Sequence, residues 1–374
     1  MRVLVLNPGS ATLKATVLDL PDLEPRFEHE IAWKADGWTP EHERAVSETV
    51  TTAQERGIPA DSLGAVGYRV VHGGERFTAP VVVDDQVLAG IEALADLAPL
   101  HNPLAAATIR AGRRALPATP HVAAFDTAFH ASLPEPVRRY PVPEAWVRDW
   151  GVRRYGFHGL SVAWSIRRAA ELLVRPVDDL RLVVAHLGGG CSVTAVDRGR
   201  SVDTSMGMTP LEGLMMGTRA GSIDPGILLR LVRGGVPVDD VTADLEHRSG
   251  LLAVSGRTAD MRELLAAAQD GDERAALAIE MFVGRAAAGI AAAATHLPVV
   301  DGVVFTGGIG EHAVPVRDRI VDRLSLLGVA PADIEPPAPD GVLSSGPAAL
   351  LTIRAREDVT VAEGAARAVA AGTP

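Results

Sequence analysis

The sequence predicts an α/β protein made of two copies of one fold, and three observations predict it. The chain has 374 residues, 47% of them hydrophobic, enough for two domains that each bury a core. Short apolar runs of strand length end in polar or glycine-rich turns and lead on to helix-like stretches, the alternation of an α/β protein. Finally, two hairpins far apart in the sequence share one plan. Val3, Leu4, Val5 and Leu6 run into Asn7, Gly9 and Ser10, and the return strand leads to Asp19. Val183 and Val184 run into His186, then Gly188, Gly189, Gly190 and Ser192, and the return strand leads to Asp197. This internal symmetry predicts a duplicated domain with one phosphate hairpin in each half. Two such hairpins facing across a cleft would grip a polyphosphate from both sides.

Bulk properties narrow the function. A net charge of −11 argues against nucleic acid and anionic membranes as partners. The single cysteine, Cys191, excludes a disulfide framework and fits a reducing cytoplasm. No basic apolar leader precedes the first strand, so no signal peptide is expected. Residues 275–297 form the most apolar long run; Glu280 and Arg285 within it indicate a packed helix rather than a membrane span.

Along the chain, the first hairpin places Asn7, Ser10, Thr12 and Lys14 around one turn: an amide, two hydroxyls and an ammonium, all suited to phosphate or metal-bound water. The Walker pattern Gly-x-x-x-x-Gly-Lys-Ser/Thr is absent. Residues 65–71 read as a strand whose period of two puts Gly67, Arg69 and Val71 on one face. A guanidinium beside a small apolar side chain suits a small organic anion. Leu100 and His101 precede Asn102-Pro103, read as an N-cap and first helical residue. Asp126 follows a strand over 121–125, at the C-terminal strand end where ligands of open α/β sheets gather. Residues 133–152 are proline-rich and read as a crossover. His158, between Gly156 and Gly159, precedes a helix expected from about Ser161, where anions bind.

In the central stretch the three glycines let the backbone approach a ligand and turn its amides toward it. Thr209, Pro210 and Glu212 read as a capped helix start, and Arg219 lies in the loop beyond. Helices are expected over 227–246, and again after Asp260, Met261 and Arg262. A strand at 303–305 enters Gly307, Gly308, Ile309, Gly310, Glu311 and His312. That run mimics a dinucleotide fingerprint, but no strand-terminal acid follows at the required distance. Glu357 and Asp358 precede a last helix from about Val361.

These motifs together resemble the acetokinase family from end to end. The resemblance rests on residues 7–14, 69–74, 99–103, 125–130, 154–159, 186–188, 203–207, 209–219, 260–262 and 308–311, which match in order. It implies two ribonuclease H-like domains of the actin and sugar-kinase type, with residues 1–130 and 360–374 in one and 131–359 in the other. It also implies a cytoplasmic homodimer that reversibly transfers the γ-phosphoryl group of ATP to acetate, giving ADP and acetyl phosphate, with Mg2+ or Mn2+. Within the family, propionate, butyrate or a pyrophosphate donor are the alternatives. The resemblance makes Arg69, Asp126, His158 and Arg219 the catalytic residues. Arg69, Val71, Leu100 and Pro210 hold the acid. Lys14, the run His186, Leu187, Gly188, Gly189, Gly190, the triplet Asp260, Met261, Arg262, and the run Gly308, Ile309, Gly310, Glu311, His312 contact the nucleotide. Asn7 and Glu357 belong to the metal site. Acetate is ionised at neutral pH, so Asp126 is expected to position a group or hold the metal rather than to act as a base.

Overall fold

Two six-stranded sheets with one strand order organise the chain. They are seen in a computed structural model that describes residues 1–9, 12–33, 40–333 and 340–372. Chain contacts divide it into two units. The first comprises Met1–Ala131, Gly159–Trp164 and Arg356–Pro374; the second comprises Ser132–His158 and Ser165–Ala355. By these contacts Ala131, residues 159–164 and residues 356–359, all within the 131–359 span expected for the second domain, fall in the first unit.

In the first unit, β1 (Arg2–Pro8), β2 (Thr12–Asp19), β3 (Pro25–Ala32), β4 (Ala65–Val70), β5 (Val81–Val82) and β6 (His121–Phe125) lie in the order β3-β2-β1-β4-β6-β5. β1, β2 and β3 form an antiparallel meander, and β1, β4 and β6 run parallel. The parallel strands are buried over most of their length because helices cover both faces. On one face, a Cβ at Gly67 would stand 2.7 Å from Val361 of the helix Glu357–Gly372. On the other, a Cβ at Gly112 of the helix Asn102–Ala115 would overlap the Tyr68 hydroxyl. The neighbours Gly67 and Tyr68 therefore face opposite layers, and both glycines are there for close approach.

The second unit repeats the plan. Here β7 (Arg181–Leu187), β8 (Cys191–Asp197), β9 (Arg200–Thr204), β10 (Gly302–Thr306), β11 (Gly341–Ser344) and β12 (Ala349–Thr352) lie in the order β9-β8-β7-β10-β12-β11. Strand for strand this is the first sheet again, with the same parallel and antiparallel neighbours. The duplication read from two hairpins extends to all six strands. The helix Glu273–Ala294 is long and apolar enough to cross a membrane. It is the core helix of this unit, packed on β7, β8 and three further helices, with Asp272 capping its first turn.

Some local expectations change. The last helix begins at Glu357, which is its first residue. Asn102 does not cap its helix: its amide bonds the His72 backbone instead, at 3.1 Å to the N–H and 2.9 Å to the carbonyl. Thr209 opens no helix, for a reason given below.

Candidate active site

In the first unit the side chains of Asn7, Asp126 and Glu357 converge on one guanidinium. Arg69 sits near the end of β4, and Asp126 follows β6, its parallel neighbour. The Asp126 N–H donates to the Val70 carbonyl at 3.0 Å, which fixes the carboxylate beside Arg69. Arg69 Nε donates to Asp126 Oδ1 at 3.0 Å, and Nη2 donates to Oδ2 at 2.6 Å, a bidentate pair. Arg69 Nη1 lies 3.1 Å from Glu357 Oε2 and 3.4 Å from Asn7 Oδ1. The Asn7 amide in turn donates to Glu357 at 3.4 Å. Burial alone would lower the Arg69 pKa, but the carboxylates of Asp126 and Glu357 outweigh it and hold the pKa above its ordinary value. Asp126 is 1% exposed and its carboxylate is held inside the protein, whereas Arg69 is half-buried.

Two carboxylates face one guanidinium here. Asn7, Asp126 and Glu357 supply hard oxygen donors. Among the described residues there is no group of three or more His, Cys, Asp or Glu side chains able to hold a metal. A small set of carboxylate and amide oxygens nonetheless fits Mg2+, which takes one or two carboxylates and leaves its other positions to water and phosphate.

The other expected residues of this unit lie around that centre. Lys14 is exposed, paired across the hairpin with Asn7 and 4.0 Å from Glu30. Ser10 lies outside the described residues. Val71 is half-buried and falls one residue beyond β4, so strict alternation with Arg69 ends before it. Leu100 is 39% exposed.

In the second unit the β7–β8 hairpin pairs His186 with Ser192 and Leu187 with Cys191, leaving Gly188, Gly189 and Gly190 as the turn. The Gly188 N–H donates to the Gly190 carbonyl at 3.0 Å, closing it. A side chain at Gly189 would meet nothing within 4 Å, so this edge is open. His158 stacks on His186 with ring centroids 4.2 Å apart and planes 18° apart. Its Nδ1 is 3.0 Å from Ser192 Oγ. Beside the hairpin, the helix Gly307–His312 starts directly after β10. Gly307 has φ +77, and a Cβ there would stand 2.8 Å from the Leu187 carbonyl, so only glycine permits this approach. Gly308 is open in the same way as Gly189. Ile309 and Glu311 are half-buried, and Glu311 accepts from the Ala355 N–H at 2.9 Å. Gly310 is buried and His312 exposed. The fully buried Arg317 donates to the carbonyls of Gly310 and Glu311 at 3.0 and 3.3 Å, bracing this helix at its C-terminal end.

Asp260 caps the helix Met261–Gln269 and pairs with Arg262 at 2.6 Å. That hydrogen bond pulls the Asp260 pKa down to about 2. Arg219 is half-buried; desolvation lowers its pKa, opposed by Glu246 and Cys191. A low-dielectric surrounding strengthens its pull on an anion.

The loop between β9 and Arg219 explains why Thr209 starts no helix. Glu212, the expected capping-box acid, is held by Arg154 at 2.8 Å and by the Tyr140 hydroxyl. Arg154 also donates to the carbonyls of Thr204, Ser205 and Met206 at 3.1, 3.2 and 3.0 Å. The same guanidinium lies 5.3 Å from the centre of the Tyr140 ring. The loop is thus tied to the crossover segment, and Pro210 is carried in its turn. Sequence reading did not single out Arg154, Tyr140, Ser192 or Arg317. Of these, Arg154 opens the 154–159 motif and Ser192 is the hydroxyl residue common to both hairpins; Tyr140 and Arg317 carried no signal.

Comparisons with known proteins show what the chain is similar to. The profile of the acetokinase family covers residues 2–363. The acetate kinase of Deinococcus radiodurans is 48% identical over 347 residues, 88% of this chain and 87% of that protein. The crystal structure of Porphyromonas gingivalis acetate kinase superposes with a TM-score of 0.89 at 33% identity, covering 98% of this chain and 99% of the other. That of a propionate kinase from Francisella tularensis subsp. tularensis SCHU S4 gives 0.86 at 32%, covering 98% and 99%.

Proposed function

The chain belongs to the acetokinase family, and from that premise we propose the following assignment of roles. The protein is a phosphotransferase with a carboxyl acceptor, an acetate kinase that uses ATP. The acetate carboxylate attacks the γ-phosphorus directly, in line with the departing ADP oxygen. No general base is required, because the acid is already ionised. Arg69, Arg219 and His158 stabilise the charge on the equatorial oxygens of the transferring group. The observation that carries this reading is the Arg69 guanidinium, bound on one edge by Asp126 and on another by Glu357. It is a fixed cation at the strand ends where α/β proteins bind ligands.

Asp126 acts through Arg69, fixing its plane. Asn7 and Glu357 would hold Mg2+ or Mn2+, which when bound neutralises phosphate charge. Lys14, the 186–190 turn, the 260–262 triplet and the 308–312 helix contact the nucleotide, and Val71, Leu100 and Pro210 meet the methyl group. Trapping of acyl phosphate with hydroxylamine tests the assignment, run with acetate, propionate and butyrate and with ATP or pyrophosphate. Acetate with ATP is expected to give the highest kcat/KM. Propionate should follow within about 10–200-fold, the range one methylene commands. Absence of acyl phosphate from every acid would overturn the assignment. Propionate in first place would put the chain with the propionate kinase it resembles.

The protein acts as a cytoplasmic homodimer. The helix Pro225–Arg233 has no buried residue and exposes Ile227, Leu229, Leu231 and Val232. An apolar patch of this kind fits a second copy of the same surface across a two-fold axis. Light scattering should give twice the 39.2 kDa chain mass, falling to the single mass in Leu229→Asp. A wild-type monomer would contradict the dimer, and activity confined to the membrane fraction would contradict the location.

A further inference from the structure

The His158 ring is held on three sides within its own unit. His186 stacks on one face, Ser192 meets Nδ1 at 3.0 Å, and the turn after β7 meets the opposite edge. A Cβ at Gly190 would stand 3.1 Å from His158 Nε2 and 3.3 Å from Cε1. Nε2 therefore borders the glycine turn. His158 itself has φ +58, a left-handed conformation that non-glycine residues rarely adopt. The surroundings over-determine its placement.

We propose that Ser192 is a positioning residue that fixes His158 as the Nε2–H tautomer. Ser192 is 0% exposed, and among the described residues its hydroxyl has no hydrogen-bond partner other than His158 Nδ1. A neutral imidazole carries one donor and one acceptor nitrogen. If Nδ1 held the proton, it would donate to Ser192 Oγ and leave the serine O–H buried without an acceptor. If Nε2 holds it, the serine O–H donates to Nδ1 and both groups are satisfied. A buried donor left unmade is the costlier arrangement, so the second is selected. The proton is then carried by the nitrogen that borders the phosphate turn. The inference rests on the reading of His158 as a donor to the transferring phosphoryl group. It explains how a neutral histidine keeps a donor aimed at that group.

The test is long-range 1H–15N NMR of the full-length protein labelled with 15N-histidine, with His158→Gln to assign the resonances. Wild type should show protonated Nε2 and acceptor-type Nδ1 at His158. Ser192→Ala should give a tautomer mixture, and Ser192→Thr, which keeps the hydroxyl, should restore the wild-type pattern. In acyl-phosphate assays Ser192→Ala should lose about 10–100-fold in kcat, the usual loss for a residue that orients a functional ligand. KM values should change by less than about threefold, because the donor acts in the transition state. Ser192→Thr should recover most of the rate. A protonated Nδ1 in wild type would overturn the proposal, as would a Ser192→Ala variant with unaltered tautomer and kcat. The wild-type spectrum decides the tautomer even if Ser192→Ala fails to fold. That spectrum needs no substrate, so it reads the proposal separately from the acetate kinase assignment, whose failure would appear as a wild-type enzyme that forms no acyl phosphate.

Discussion

Arg69→Ala is expected to lower kcat at least ~10²-fold, the scale of a lost charge-stabilising donor at a reacting centre. The substitution removes the cation between Asp126 and Glu357, whose oxygens approach it to 2.6 and 3.1 Å. Two carboxylates would then share the site with an incoming acid and a phosphoryl group, all anionic, and repulsion would add to the lost attraction. Folding should suffer as well. Breaking a buried pair by deleting one partner costs about 3–5 kcal/mol, and Asp126 is almost fully buried. Thermal unfolding must therefore accompany the kinetics. Arg69→Lys should recover charge but little rate, because one ammonium cannot reproduce the two-point contact with Asp126. Near-normal turnover in a folded Arg69→Ala enzyme would remove Arg69 from the mechanism.

Asp126→Asn should be impaired by a similar factor, and by the same factor at every pH. The carboxylate accepts from both Arg69 Nε and Nη2. An asparagine of the same shape offers one acceptor oxygen and turns an NH2 group toward a guanidinium that can only donate. Arg69 would lose its fixed plane while the backbone bond from Asp126 to Val70 stays. Since acetate needs no deprotonation, the ratio of mutant to wild-type kcat/KM should be flat from acid to alkaline pH. Recovery of the variant at high pH, together with an acid limb in the wild type that disappears in the variant, would instead assign Asp126 the role of a base.

The duplicated sheet was legible because its signals are local. Val3–Leu6 and Val183–Val184 are continuous apolar runs that end at polar turns, and each pairs with the strand that follows it. The position of Asp126 at a strand end was legible for the same reason, since it directly follows a buried strand. Elements whose side chains have distant partners were not. Asn102 has the sequence of a helix cap, yet its amide goes to His72, 30 residues away. Thr209-Pro-Leu-Glu has the pattern of a capping box, but Glu212 is taken by Arg154, 58 residues away, and tertiary hydrogen bonds override the local preference. Gly67 and Gly112 look like weak points of a strand and a helix. Their purpose appears only when Val361 and Tyr68 are seen against them. Ser192 could be recognised as part of a hairpin, but nothing local connects it to a histidine 34 residues earlier.

The most direct measurement is 31P NMR of the wild-type enzyme with ATP, Mg2+ and acetate. Direct transfer to the carboxylate predicts that the γ-phosphoryl resonance of ATP is replaced by acetyl phosphate and ADP, one for one. Adding acetyl phosphate and ADP should regenerate ATP. AMP with pyrophosphate, or ADP with inorganic phosphate and no acyl phosphate, would contradict the account.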